Sequence, residues 1–264
     1  MPAPLVLAID VGNSRVKAGA LTESRTARAL PDCVASTAIP VSHSHPAKAL
    51  SDWLETHELR PRKGLIGGVN PAVIAAVLEG WIGRHCPLTH IARPSHALLV
   101  NRTTQPDRVG PDRLFDAVAA NRLRQNGASA LIIDSGTATT VNLVDAEGAF
   151  AGGAILAGFE LVASALHERT ALLPKVDVAD LMPPPHPLGR DTEAAIRSGL
   201  HWGLVGAVKE LVARLSALAV ERDSQSPVMV LTGGASPLLL PHLPEAQLWP
   251  HLTLQGVVLS APSP

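Results

Sequence analysis

Apolar and polar positions along this chain form short blocks, and the blocks fall into two similar series. Val6–Asp10 and Arg15–Leu21 are strand-length apolar runs around a tight turn at Gly12-Asn13. Pro46–His57 reads as a short helix. Gly64–Val69 is an apolar strand that runs into Asn70-Pro71, and Pro71 suits the first turn of a helix over Pro71–His85. Leu114, Phe115, Val118 and Leu123 recur at helical spacing, which predicts a helix over Asp112–Arg124. The series then restarts. Ala130–Asp134 and Thr139–Val144 make a second strand pair around Gly136-Thr137, and Ala149–Leu156 adds a third strand. Gly158–Leu173 and the long Thr192–Val220 are helical, on either side of the proline-rich "LMPPPHPLG" (181–189). Val228–Leu231 is a last apolar strand, ending in "TGGAS" (232–236) before another short helix.

The two series align as "LAIDVGN" (7–13) and "LIIDSGT" (131–137). Each later sends a strand into a helix through small residues, "GGVNPA" (67–72) and "LTGGASP" (231–237). A layout repeated once is a duplication rather than a solenoid. It predicts an α/β protein of two similar domains, 1–115 and 116–264, with a cleft between them. The chain has 264 residues, 46% of them hydrophobic, enough for cores of that size; with 3% aromatics and no tyrosine, those cores are aliphatic. A net charge of −1 gives no electrostatic ground for nucleic acid or an acidic membrane surface. The N-terminus lacks the positive region of a signal peptide, and no apolar run reaches the roughly 18 residues of a membrane span. Cys33 and Cys86 have no metal-like spacing and read as reduced thiols, so a cytoplasmic protein is expected.

Chemistry concentrates at the repeated hairpins. A glycine in the turn bares backbone amides to a ligand, and small hydroxyl or amide side chains add donors without blocking access. A carboxylate at the strand end can hold a hydrated divalent cation to which phosphate binds. Asp10, Gly12, Asn13, Ser14 and Lys17 form one such set; Asp134, Gly136, Thr137, Thr139 and Thr140 form a second. A single D-x-G turn is common in proteins without phosphate. Two matched copies and the late Gly233-Gly234 pair favour the layout by which actin-like ATPases and sugar kinases clamp nucleotide. In "VGPDRLFDAVAA" (109–120), Asp112 and Arg113 stand at a helix start. Read structurally, they are a cap and a surface charge. Read functionally, Asp112 is a base that accepts a hydroxyl proton, and Arg113 holds a substrate carboxylate.

"AIDVGNSRVK" (8–17), "GPDR" (110–113), "IIDSGTATTVNLVDAEGAFAGGAILAG" (132–158), "LLPKV" (172–176), "LGRDTEAAIRSG" (188–199) and "LTGGA" (231–235) together resemble, in order and spacing, the type III pantothenate kinases. The resemblance spans nearly the whole chain. It implies two duplicated RNase H-like, actin-like ATPase domains and ATP-dependent phosphorylation of pantothenate to 4′-phosphopantothenate, the first step towards coenzyme A. It also implies a homodimer, Mg²⁺, and a monovalent cation, potassium or ammonium. Carried over by position, Asp10, Val11, Gly12, Asn13, Ser14, Arg15, Val16 and Lys17 match the phosphate-binding segment, with Asp10 orienting Mg²⁺ through water. Gly110, Pro111, Asp112 and Arg113 match the substrate segment, with Asp112 as catalytic base. Asp134 matches the monovalent-cation ligand and Thr137 an ATP contact. Thr192 matches a substrate contact that the neighbouring subunit supplies.

The sequence departs from the family's pattern in four places. Ser14 replaces a threonine, Asn142 an aspartate and Ala157 the proline of a P-G pair. "NRTTQPDR" (101–108) lacks a tyrosine that walls the pocket. Two rival readings are a same-fold kinase for another hydroxy substrate and a non-catalytic nucleotide-binding regulator. His43 with His45, and His85-Cys86 with His90, lack a third ligand and read as solvated loops. Trp53, Trp81 and Trp202 read as core or interface residues.

Overall fold

The computed structural model describes residues 4–22, 29–81, 85–124 and 127–261. Along the chain run β1 (Leu5–Val11), β2 (Arg15–Thr22), β3 (Cys33–Pro40), α1 (Pro46–Thr56), β4 (Pro61–Gly68), α2 (Pro71–Trp81), β5 (Leu88–His90) and α3 (Pro111–Leu123). There follow β6 (Ala130–Ser135), β7 (Ala138–Val144), β8 (Phe150–Ala157), α4 (Phe159–Glu168), α5 (Thr192–Asp223), β9 (Val228–Thr232), α6 (Ser236–Leu239), β10 (Gln247–Leu248) and α7 (Leu252–Leu259).

The strands form two five-stranded sheets, ordered β3-β2-β1-β4-β5 and β8-β7-β6-β9-β10. Strand for strand, the second repeats the first: an antiparallel hairpin in the middle, then a parallel neighbour beside its first strand. The duplication read from the paired hairpins is therefore present in the topology.

Contacts divide the chain into two units. The first is Met1–Gln125 with Gly148–Phe150 and His251–Pro264; the second is Asn126–Glu147 with Ala151–Pro250. The expected division, 1–115 and 116–264, differs from this one at both ends. Helix α3 belongs to the first unit because Phe115 is fully buried with Val6, Ala8, Leu65, Leu254 and Val257. Helix α7 returns to the same layer, where Thr253 Oγ1 donates to Asp116 Oδ1 at 2.7 Å.

In the first unit, alternation along β1 assigns its two faces. Leu7, Ile9 and Val11 pack with α1 and α2; Val6 and Ala8 pack with α3 and α7. In the second unit Leu131, Ile133, Val141 and Leu231 pack with Phe159, Leu200, Val208 and Leu238. Helix α2 is described as far as Trp81, whose indole N–H donates to the Cys86 carbonyl at 2.9 Å; the expected residues 82–84 lie outside the described residues, and His85 is not helical. One expected helix is shorter than read. Helix α4 stops at Glu168, where Thr170 Oγ1 donates back to the Leu166 carbonyl at 2.6 Å and Pro174 follows. Among the described residues no helix is long and apolar enough to cross a membrane.

Candidate active site

The first hairpin closes where the Gly12 N–H donates to the Arg15 carbonyl at 3.0 Å, leaving Asn13, Ser14 and Arg15 exposed. Asp10 stands opposite Lys17 on β2 and opposite Gly67 on β4. Residues paired across strands share a face, so the carboxylate and the ammonium rise from one side of the sheet. Asp10 is only 5% exposed, and Lys17 is half-buried.

The neighbouring strand end is bare by necessity. A side chain on Gly67 would begin 2.6 Å from the Phe115 ring, and one on Gly68, whose φ is +139°, would strike the backbone of Val11. Thus the Phe115 ring of α3 can close against Gly67 of β4. The Val69 N–H donates to the Val11 carbonyl at 2.8 Å, and Gly110 lies over Val69. Asp112 follows two residues on. Its Oδ1 accepts the Arg113 N–H at 2.8 Å and lies 2.5 Å from where a Gly110 side chain would begin. Asp10, the Gly12–Lys17 hairpin and Gly110–Arg113 therefore meet at one end of the first sheet. The Arg113 guanidinium lies 5.3 Å from the centre of the Phe150 ring. Burial lowers its pKa and Asp112 works in the other direction. Nothing in the local sequence marks Phe150 as that platform, because 37 positions separate it from Arg113.

The second unit repeats the scaffold with other side chains. The Gly136 N–H donates to the Ala138 carbonyl at 3.0 Å. Asp134 stands opposite Thr140 and beside Thr232. Gly233, at φ +93°, lets the backbone pass against Asp134 Oδ1 and the Ser135 carbonyl, where any side chain would collide. Gly158 fits the same way against the carbonyls of Gly136 and Thr137, and its N–H donates to Thr137 at 2.9 Å. Buried polar side chains pair on each face of the hairpin. Ser135 Oγ and Thr139 Oγ1 are 3.3 Å apart, and Asn142 Nδ2 donates to Thr140 Oγ1 at 2.9 Å. Thr137 is exposed. Thr192, also exposed, opens α5 on the wall of an apolar groove of about 620 Å³ that includes Leu166, Ile196 and Leu200. Asp191 caps that helix, its Oδ1 accepting the Ala194 N–H at 2.8 Å.

Among the described residues no three His, Cys, Asp or Glu side chains are grouped to hold a metal. The exposed His43 Nδ1 accepts the His45 N–H at 3.1 Å, a loop contact. Cys33 and Cys86 are both free, and burial pushes both thiols up.

Two mixed sheets of one layout, each presenting an aspartate-ended strand, a glycine turn and a glycine-bearing neighbouring strand, define the actin-like ATPase and sugar-kinase class. Solved structures share the fold. A Campylobacter jejuni protein assigned to the Baf family of transcriptional activators aligns with a TM-score of 0.52 at 14% identity, covering 96% of this chain and 94% of that one. The activator of the 2-hydroxyisocaproyl-CoA dehydratase from Clostridium difficile, with bound ADPNP, aligns at 0.50 and 14% identity, covering 97% and 92%. In sequence, the family model for type III pantothenate kinase matches residues 6–214. A type III pantothenate kinase of Rubrobacter xylanophilus is 46% identical over 196 residues, 70% of this chain and 73% of its own. One from Cereibacter sphaeroides strain ATCC 17025 is 34% identical over 265 residues, 97% and 96% of the two chains. The chain belongs to the type III pantothenate kinase family.

Proposed function

We propose that this chain transfers the γ-phosphoryl group of ATP to the primary hydroxyl of pantothenate, giving 4′-phosphopantothenate and ADP in the first step of coenzyme A synthesis. The observation that carries the assignment of roles is the meeting of Asp10, Lys17 and Asp112 at one bare end of the first sheet. Phosphoryl transfer asks for alignment and charge neutralisation more than covalent help. In this reading Lys17 and the amides of the exposed Asn13 and Ser14 take phosphate oxygens. Asp112 accepts the hydroxyl proton as the hydroxyl oxygen bonds to phosphorus and the bond to the ADP oxygen breaks. Arg113, steadied over Phe150, takes the pantothenate carboxylate.

A divalent metal fits the residues present. Mg²⁺ is commonly held by one or two carboxylates, water and substrate phosphates rather than by a protein cage. Asp10 is such a carboxylate, near the end of β1 and next to the exposed turn at Asn13 and Ser14. Bound there through water, Mg²⁺ supplies charge neutralisation on the phosphates. Asp134, with the Ser135 carbonyl and Thr140 close by, supplies oxygen ligands for potassium or ammonium. A homodimer belongs to the same reading. Its support is the exposed apolar surface of the second unit, where Leu172 is 91% and Leu188 64% exposed and Gly199, Gly203 and Gly206 of α5 face open space. In that dimer Thr192 contacts the substrate of its partner, and the enzyme works in the cytoplasm.

The test is ADP release with ATP, Mg²⁺ and potassium, with and without pantothenate. Nucleotide binding with no ADP formed under either condition would point to the rival regulator, and ADP formed only with another hydroxy compound to the rival kinase. Asp112→Asn is expected to lower kcat by about 10²-fold or more, as for loss of a general base, while nucleotide still binds. Turnover near the wild-type rate in that variant removes Asp112 from the chemistry. Replacing potassium with sodium should slow the reaction, and equal rates would count against a cation at Asp134.

A further inference from the structure

The chain between β5 and α3 carries little regular structure, yet it is tied down along its length. At its start Ile91 is buried, and its N–H donates to the Ile66 carbonyl at 2.8 Å, beside Gly67. In its middle Asn101 pairs with Phe150: the Phe150 N–H donates to the Val100 carbonyl at 2.8 Å, and the Arg102 N–H donates to the Phe150 carbonyl at 2.9 Å. The residue whose ring supports Arg113 is thus paired with this segment as well. At its end is one tight turn, Pro106–Arg108, and Val109 then leads into Gly110–Arg113.

That turn is held from outside. The guanidinium of the half-buried Arg93 spans it, with Nη1 donating to the Pro106 carbonyl at 3.1 Å and Nη2 to the Asp107 carbonyl. Asn101 Nδ2 donates to the same Pro106 carbonyl at 3.2 Å, while Asn101 Oδ1 accepts the Thr103 N–H at 3.1 Å and the Thr103 hydroxyl at 2.8 Å. The turn's own backbone bonds run from the Arg108 N–H to Gln105 at 3.0 Å and from the Val109 N–H to Pro106 at 3.3 Å. A single 3-10 turn with so few bonds does not keep its shape unaided. The planar arginine fork suits two adjacent carbonyls at once, whereas a lysine offers a compact charge on a flexible stem. Because Arg93 stands just beyond the anchored Ile91, the clamp joins the entrance of α3 to the end of the first sheet.

We propose that Arg93 is a positioning residue: by clamping the Pro106 and Asp107 carbonyls it fixes the chain where it enters α3, and so aims Asp112 at the acceptor hydroxyl and Arg113 at the substrate carboxylate. The proposal rests on the reading of Asp112 as base and Arg113 as carboxylate contact. Arg93 acts through the backbone of the turn and needs no contact with either substrate.

The experiment compares Arg93→Ala, Arg93→Lys, Asp112→Asn and the double variant Arg93→Ala with Asp112→Asn in the full-length protein. Steady-state kinetics in ATP and in pantothenate are read alongside melting temperature and ADP binding by calorimetry. Arg93→Ala is expected to lower kcat and raise KM for pantothenate, each about tenfold, since misplacing reacting groups by about 1 Å can cost about 100-fold. KM for ATP, ADP affinity and the melting temperature should stay near wild type. Arg93→Lys, which keeps the charge and loses the fork, should recover little of the loss. In the Asp112→Asn background the Arg93 change should lower kcat no further, as for residues acting as one unit. Unchanged kcat and pantothenate KM in Arg93→Ala, equal rises in KM for both substrates, full recovery in Arg93→Lys, or an undiminished kcat loss on top of Asp112→Asn each overturns the proposal. If the wild-type protein releases no ADP in response to pantothenate, the kinase reading fails and the positioning role goes with it. If Asp112→Asn turns over near the wild-type rate, there is no base for Arg93 to aim, and the proposal fails while the kinase reading stands. If Arg93→Ala does not fold, Arg93→Lys and its double with Asp112→Asn decide the matter by the same additivity.

Discussion

The two hairpins share a backbone and differ in charge. In the first, the aspartate near the strand end faces a lysine across the ladder; in the second, it faces a buried threonine whose hydroxyl accepts the Asn142 amide. The neighbouring strand ends differ as well. Gly67 and Gly68 are both obligatory, one under the Phe115 ring and one against Val11. Of the later pair only Gly233 is crowded, and Gly234 has nothing within 4 Å of where its side chain would begin. One scaffold has thus been loaded twice. The first copy sets a lysine opposite its aspartate, and the second sets neutral oxygens around a single carboxylate. The fold supplies the strand ends and the turn, and the two copies differ in the residue opposite the aspartate.

The sharpest way to break this contrast is to remove the group opposite each aspartate. Lys17→Met should lower kcat/KM for ATP about 10²- to 10³-fold, the usual cost of losing a preorganised charge-stabilising donor. Thr140→Val should cost about tenfold or less, since its hydroxyl makes one modest hydrogen bond to a neutral amide. Steady-state kinetics at saturating pantothenate check both. Equal losses at the two positions would mean that the hairpins share the phosphate load, and the contrast would fail.

The glycines give a second and smaller test, read in stability. Gly233→Ala forces a side chain at φ +93° into Asp134 and Ser135 and should cost about 2 kcal/mol or more. Gly234→Ala, in open space, should stay within about 0.5 kcal/mol of wild type. In the first unit Gly67→Ala and Gly68→Ala should both be costly. Denaturant unfolding of the four variants measures the pattern, and a stable Gly68→Ala would show that the bare strand end of the first unit is a matter of function alone.

How much of this was legible beforehand depends on whether the signal was local. Both hairpins could be read, because apolar runs, a glycine turn and an aspartate near the strand end lie within a dozen residues of each other. Asp112 could be placed at a helix start for the same reason. Helix α7 could not. Its sequence, "LTLQGVVL", is apolar all round because the helix is buried on nearly every side, so no polar face gives it a helical period. Gly256 and two adjacent valines also argue against a helix by propensity, until the backbone of Phe115 is seen to exclude a side chain there. The edge strand β3 was missed because its small residues alternate only weakly, and β5 and β10 because they run for three and two residues. The contacts of the catalytic end with Phe150 and with α7 are long-range, and no spacing rule reaches them.

The smallest expected effect concerns how each unit pins a helix. In the first, the Trp81 indole of α2 donates to the Cys86 carbonyl, a contact that does not titrate. In the second, the fully buried His201 of α5 meets His242 with their Nε2 atoms 3.0 Å apart, and Trp202 packs edge-on against both rings. One proton can sit between those nitrogens; a second would bring two cations into contact. Burial first, and then His242, lower the pKa of His201 from its usual value of 6.5. Unfolded, this histidine takes up a proton as pH falls through about 6.5; folded, it refuses one until a lower pH. Stability of the second unit should therefore decline as pH drops below that value and level off once the folded state protonates too. Hydrogen-exchange protection compared at about pH 7.5 and about pH 5.5 should fall in α5 and hold in α2, and His201→Phe should remove most of the difference. Loss of protection that is equal in both helices, or unchanged by His201→Phe, would assign the acid sensitivity to carboxylates elsewhere and leave the two units alike in this respect.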